Sequence, residues 1–172
     1  TGVNAIAIGP AATATRAQAI ALGNSATAGG TDSIAIGNGS AAADKVAPVA
    51  IGQGAQANGD FSVALGGGNH QFVGAIANGV GTTALGSSTK TKVDTNYQTA
   101  IGFGASTEAE SALAVGYNAV ASAQNAIALG RSASTAGQDA VALGSSSQAK
   151  GDSGLAIGNG AQANSNSVIS LG

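Results

Sequence analysis

The chain of 172 residues carries 28 Gly, 8% charged residues, 3% aromatic residues and no Cys, Met or Trp, with a formal net charge of −2. An average globular domain is about one-quarter charged and a disordered chain is depleted in apolar residues, so 44% apolar residues exclude an ordinary domain and simple disorder alike. Disulfides and thiolate metal sites are excluded; the scattered bases Arg16, Lys45, Lys90, Lys92, Arg131 and Lys150 give no basic face for nucleic acid; and no apolar run is long enough to cross a membrane as a helix.

In chain order, the first element is Ile6-Ala7-Ile8-Gly9, and it returns as Ile20-Ala21-Leu22-Gly23 and Ile34-Ala35-Ile36-Gly37. Further copies end at Gly52, Gly66, Gly86, Gly102, Gly116, Gly130, Gly144, Gly158 and Gly172. In eight of the eleven intervals the Gly returns at the fourteenth position. Ala stands two before each Gly except at Ser170, and Ile, Leu or Val stands directly before it. After these Gly a second element follows in which Ala tends to recur three and five positions on, as in Ala12 and Ala14, Ala26 and Ala28, or Ala119 and Ala121. Both elements alternate with period 2, the pattern of a strand. A unit this short cannot bury its own apolar face and has to stack on copies of itself.

The predicted fold is therefore all-β: a parallel β-roll, or solenoid, of about twelve 14-residue coils, two short strands and two turns to a coil. At a strand spacing of about 4.8 Å the rod is about 55 Å long. Residues 1–172 read as one domain with irregular coils at 38–52, 67–86 and 87–102. The sequence opens and closes within the pattern, so it is expected to be a fragment of a longer surface protein. Residues two apart share a face, and the larger pairs, such as Ile127 with Leu129, are expected inside the roll. That assignment turns an Ala ladder outward. Ala7, Ala21, Ala35, Ala50, Ala64, Ala100, Ala114, Ala128, Ala142 and Ala156 become the expected contact with a second copy, because an apolar stripe along a rod calls for cover.

Three of these copies, Asp32-Ser33-Ile34-Ala35-Ile36-Gly37, Phe61-Ser62-Val63-Ala64-Leu65-Gly66 and Asn125-Ala126-Ile127-Ala128-Leu129-Gly130, resemble the head repeat of trimeric autotransporter adhesins, the YadA-like head. The resemblance spans essentially the whole chain. It implies a left-handed parallel β-roll assembled as a homotrimer, carried on a coiled-coil stalk and anchored in the outer membrane by a C-terminal barrel. It implies attachment to a host extracellular-matrix or cell-surface protein, a contribution to virulence, and display on the bacterial cell surface. Contact with a membrane is expected only through an anchor that this sequence does not contain.

The pattern breaks in three places, around Asp44 to Pro48, around His70 and Phe72 with a degenerate Ile76-Ala77-Asn78-Gly79, and around Lys90, Lys92, Asp94 and Tyr97. Extra residues in a solenoid become surface loops, and loops on a rigid scaffold are common binding sites. His70, Phe72, Lys90, Lys92 and Tyr97 are the candidate ligand contacts, and all five aromatic residues fall between Phe61 and Tyr117. The plain alternative makes Phe103 and Tyr117 a stacked ladder and the lysines a solvated tip.

No catalytic residue, cofactor or metal site is expected. His70 has no acidic partner in its own segment, and a 14-residue coil does not divide into the hexapeptides of trimeric acyltransferases. Acids such as Asp32, Asp60, Asp139 and Asp152 sit mostly at one turn position, as turn chemistry requires. The competing functions are a structural spacer that displays other domains or self-associates, and an ice-binding type of solenoid. The latter calls for a regular Thr ladder, and Thr is sporadic here.

Overall fold

Two alternating elements per period become two strands per circuit. In the computed structural model, which describes residues 2–69 and 71–172, three-residue strands from Ile6–Ile8 to Ile169–Leu171 form a 12-stranded sheet. Two-residue strands from Thr13–Ala14 to Gln162–Ala163 form an 11-stranded sheet. Each strand pairs in parallel with its counterparts one circuit away. Ile20 lies over Ile34, Ala21 over Ala35 and Leu22 over Ile36. Circuits are tied by bonds such as Ile20 N–H to Ser33 C=O at 2.8 Å and Gly23 N–H to Ile8 C=O at 2.8 Å.

The three long intervals leave this register intact. Val49 still pairs with Ile34, Thr83 with Val63 and Thr99 with Thr83. The extra residues go into turns. The longest insertion enters the turn after Val63–Leu65, at 67–73, while the two shorter ones enter the opposite turn, at 43–46 and 92–95. Ile76–Ala77, expected within a disrupted stretch, is a regular strand paired with Gln56–Ala57.

The faces are reversed from the expectation. Ala21, Ala35, Ala50, Ala64, Ala100, Ala114, Ala128, Ala142 and Ala156 are all fully buried within a single chain. They cannot be the contact with another copy; Ala7 is open to solvent only because it lies on the end coil. Among the described residues, apart from Pro48, every apolar side chain in the buried core is Ala. The cause is the size of the circuit. Only three plus two of its residues are strand, and tight turns draw the two sheets so close that little more than a methyl group fits between them. Four small columns line the interior, as in Ala19, Ala21, Ala26 and Ala28, all 0% exposed. Hydroxyl residues enter these columns where a turn carbonyl accepts their proton: Ser33 Oγ donates to Gly30 O at 2.6 Å, Ser62 Oγ to Gly59 O at 2.7 Å and Thr82 Oγ1 to Gly79 O at 2.9 Å.

Turn geometry explains the recurrent Gly. Gly130 has φ 137°, and a Cβ there would stand 2.4 Å from Gly144 O. Successive Gly turns are stacked too closely for any side chain. Two further positions per circuit are left-handed, for example Ser25 at φ 54° and Asp32 at φ 56°. Asn, Asp, Ser and Gly mostly fill them, as short polar residues tolerate that region best. Neighbouring acids and amides cap the same turns: Asp60 Oδ1 accepts from Val46 N–H at 2.7 Å and Asp152 Oδ1 from Gln138 N–H at 2.9 Å.

Candidate functional site

With Ala inside, the large aliphatic residues point outward. Ile20, Leu22, Ile34, Ile36, Val49 and Ile51 are all half-buried, and Leu85, Leu143 and Ile157 are exposed. Because strands are in register, these side chains form one apolar stripe along the 12-stranded sheet, broken in one of its two columns by Thr83 and Thr99. A lone Ala core buries little; each CH₂ removed from water is worth about 0.8 kcal/mol, and fully covering a Val, Leu or Ile about 1.5–3 kcal/mol. Most of the fold's recoverable hydrophobic energy is therefore outside the single roll. Size is the signal that sequence reasoning missed. The inward columns of both strands have to match in volume, and only the Ala column matches the small return strand.

The other sheet is different in kind. Its outward positions run Thr13, Thr27, Ala41, Gln56, Ile76, Lys90, Ser106, Val120, Ser134, Gln148 and Gln162. No ladder of one residue type exists there, and in particular no regular Thr array.

The candidate ligand contacts fall on three separate surfaces. Phe72 lies on the turn edge that follows the three-residue strands, edge-on to Phe103 with ring centroids 5.0 Å apart; Phe103 stacks on Tyr117 at 5.6 Å and 10°. Beside Phe72 a groove of about 320 Å³ is lined by Gln53, Gln56, Asn69 and Gln71. His70 lies outside the described residues. Lys90 is no loop tip: it lies in the strand Lys90–Thr91, paired with Ser106, and together with Lys92 and Glu108 it borders a second hollow on the 11-stranded face. Tyr97 stands on the opposite turn edge, 63% exposed. The four described residues, Phe72, Lys90, Lys92 and Tyr97, therefore do not form a single belt.

That opposite edge holds two features the sequence reading did not single out. Gln98 is fully buried where regular coils have Ala. Its amide accepts from Lys92 N–H at 3.0 Å and Thr107 Oγ1 at 2.7 Å, and donates to the carbonyls of Lys92 at 3.2 Å and Thr95 at 3.0 Å. It is a plug for the lengthened turn. Phe61 occupies the same left-handed turn position as Tyr97, at φ 55° and 57°, and is 60% exposed. Their shared slot, directly before the inward residue that precedes each strand, was the available clue.

The chain matches the family model described as the YadA head domain repeat at residues 1–26, 17–40, 28–44, 49–69, 99–119, 109–133, 121–147, 136–161 and 149–172. The main unmatched stretch, 70–98, coincides with the two most irregular coils. Among solved structures, the chain is similar to the collagen-binding domain of the Yersinia adhesin YadA, at 24% identity with a TM-score of 0.59, over 100% of this chain and 82% of that one. No curated protein matches the chain.

Proposed function

The chain belongs to the YadA head domain repeat family, and from that premise we propose that it is the homotrimeric adhesive head of a bacterial surface protein. It attaches the cell to extracellular-matrix or host-surface protein, contributes to virulence, and does so without catalysis. Display at the outer membrane comes through a segment separate from this head. The observation that carries the reading is the aliphatic stripe along the whole of one sheet. An exposed apolar face running the length of a rod is an interface, and a cyclic assembly buries such a face once per subunit. The same stripe makes the roll rigid, since association stabilises every coil at once. A rigid rod with polar edges is suited to presenting binding groups at a distance from the cell.

The assembly is tested by solution mass. Sedimentation equilibrium should give three times the 16.0 kDa of one chain. Ile36→Lys and Leu129→Lys together should leave single chains or aggregates. A wild-type mass of one chain would overturn the assembly. Adhesion is tested by binding of the intact head to immobilised collagen, fibronectin and laminin. Absence of saturable binding to all three would overturn the matrix reading while leaving the fold and assembly in place.

A further inference from the structure

The turn edge that precedes the three-residue strands carries an arrangement that neither packing nor turn chemistry explains. Along this edge the left-handed position holds residues such as Gln18, Asp32, Asn125, Asp139 and Ser153 in other coils, with Ala47 the one apolar exception, so the edge is mostly polar. In three successive coils it holds Phe61, then Gly81, then Tyr97. A bulky residue in the left-handed region costs about 1–2 kcal/mol. Burial does not offset that cost here, since the two side chains are 60% and 63% exposed. Strain held without a packing return is characteristic of ligand-contacting positions. Gly81 contributes by absence. A Cβ on it would stand 3.3 Å from Tyr97 Cδ1 and 3.6 Å from Cε1, so the Tyr97 ring lies along the backbone of the coil between. Phe61 and Tyr97 are two coils apart, about 9.6 Å by strand spacing.

Next to this platform a groove of about 250 Å³ crosses the same turns, lined in part by Lys45, Asn58, Asp60, Asn78, Asp94 and Asn96. Asp60 and Asn96 are immediate chain neighbours of Phe61 and Tyr97. Each is fixed by one bond to a turn, Asp60 Oδ1 from Val46 N–H at 2.7 Å and Asn96 Oδ1 from Val80 N–H at 3.0 Å. Each keeps its other polar atom, Oδ2 and Nδ2, without a protein partner among the described residues. The edge thus carries two exposed rings, each next in the chain to a carboxylate or amide that lines the groove. We propose that this edge is a saccharide-binding site, in which the C–H face of a sugar lies on Tyr97 and Phe61 while its hydroxyls bond to Asp60 and Asn96. Rings supply apolar contact at low entropic cost. Fixed donors and acceptors discriminate hydroxyl patterns, because a mismatch leaves them unpaired.

This goes beyond the matrix-protein reading and is separable from it, since it is measured on the intact head with free sugars. The probes are triacetylchitotriose, cellotriose, maltotriose and lactose, each to about 10 mM, which saturates a site of millimolar affinity. Saturation-transfer and aromatic-shift NMR should show at least one probe contacting the head, with perturbed Tyr97 and Phe61 ring signals. The deciding variants are Phe61→Asn and Tyr97→Asn, which install a residue the turn tolerates. Each should keep the fold, raise or preserve the melting temperature, and weaken the sugar at least tenfold. Asp60→Asn should keep the bond to Val46 and alter the preference among the four sugars. The proposal is overturned if no probe perturbs these rings, if a proline-rich peptide does so and no sugar does, or if Tyr97→Asn destabilises the head. The last outcome would make the ring a packing element.

Discussion

From Gly102 to Gly172 five circuits of equal length follow one another without interruption, whereas both circuits between Gly66 and Gly102 are lengthened. Their backbones nonetheless stay in register, and the difference is in what fills the interior. The regular stretch is lined mainly by Ala, such as Ala112, Ala114, Ala119, Ala121, Ala126 and Ala128, with Thr107, Thr135 and Ser147 the buried polar residues among those described. The irregular one buries Thr82, Thr89, Thr91 and Gln98 in the equivalent columns. Gln98 satisfies the carbonyls and the amide of its lengthened turn, while Thr82 and Thr89 donate to turn carbonyls as Ser62 does in a regular coil. Variation in this fold is confined to the turns, which is where Phe61, Tyr97 and Phe72 are displayed. Strands tolerate none, because a slip of one residue would exchange the Ala and Ile faces.

The regular stretch should be the less forgiving of backbone change. Gly130→Ala places a Cβ 2.4 Å from a backbone oxygen that cannot move aside, at φ 137°. Strain and overpacking together should cost about 3 kcal/mol or more. Gly39→Asn, at φ 64° with no atom within 4 Å of a new Cβ, should change stability by less than about 1 kcal/mol. Urea unfolding followed by circular dichroism checks both. Equal losses would show that glycine is needed for its flexibility and that close stacking is irrelevant.

The irregular stretch should depend instead on its plug. Gln98→Ala restores the residue that most regular coils use and yet should destabilise by about 2–3 kcal/mol, because Thr107 Oγ1 and the carbonyl of Thr95 lose their buried partner. Hydrogen exchange at the Lys92 amide, left with its bond to the Thr107 carbonyl alone, should accelerate before that of Leu113. The converse substitution sharpens the point. Ala126 fills the matching position of a regular coil, where a Gln would find no lengthened turn to satisfy it.

A smaller effect of opposite sign is expected within the regular stretch. Thr135 is 0% exposed and its Oγ1 has no hydrogen-bond partner, unlike Thr107 Oγ1, which donates to Gln98. Thr135→Val keeps the shape and removes the unsatisfied hydroxyl, for a gain of about 1 kcal/mol. A loss on thermal unfolding would mean that Thr135 Oγ1 is satisfied after all, as Ser147 Oγ is by Gly144 C=O in the next coil.

These contrasts bear on what could be read from residues alone. The repeat period, the two strands, the parallel stacking and the three insertions are all legible, because they depend on spacing. Which alternating set faces inward is not settled by alternation, since Ile127, Ala128 and Leu129 alternate equally well either way; the small size of the return-strand residues was the clue. The choice follows from how far apart the sheets stand, a property of the turns. Tyr97 could be picked out as an irregular aromatic residue. Its partnership with Phe61 was harder to see, because it requires comparing turn slots rather than strands: each stands five residues before the Gly that closes its coil, Gly66 and Gly102. Gln98 was equally hidden: a glutamine in a polar loop segment gives no sign of being buried.

The smallest expected effect joins the two kinds of coil at the surface. Arg16, in a regular coil, makes a paired contact with Asp44, in the first of the lengthened turns, Nε to Oδ1 at 3.1 Å and Nη2 to Oδ2 at 2.6 Å. The bond to Arg16 holds the Asp44 carboxyl below its ordinary value of 3.8. A carboxyl depressed on folding adds stability that is complete above its unfolded value and disappears as pH falls through the lower folded value. Both side chains are more than half exposed, so solvent and salt screen the pair heavily. Wild type and Arg16→Ala should therefore differ slightly in melting temperature at neutral pH and low salt, and converge both in concentrated salt and once acid has protonated folded Asp44. A difference that persisted in acid would place the role of Arg16 in the packing of its methylene stem across the stacked turns.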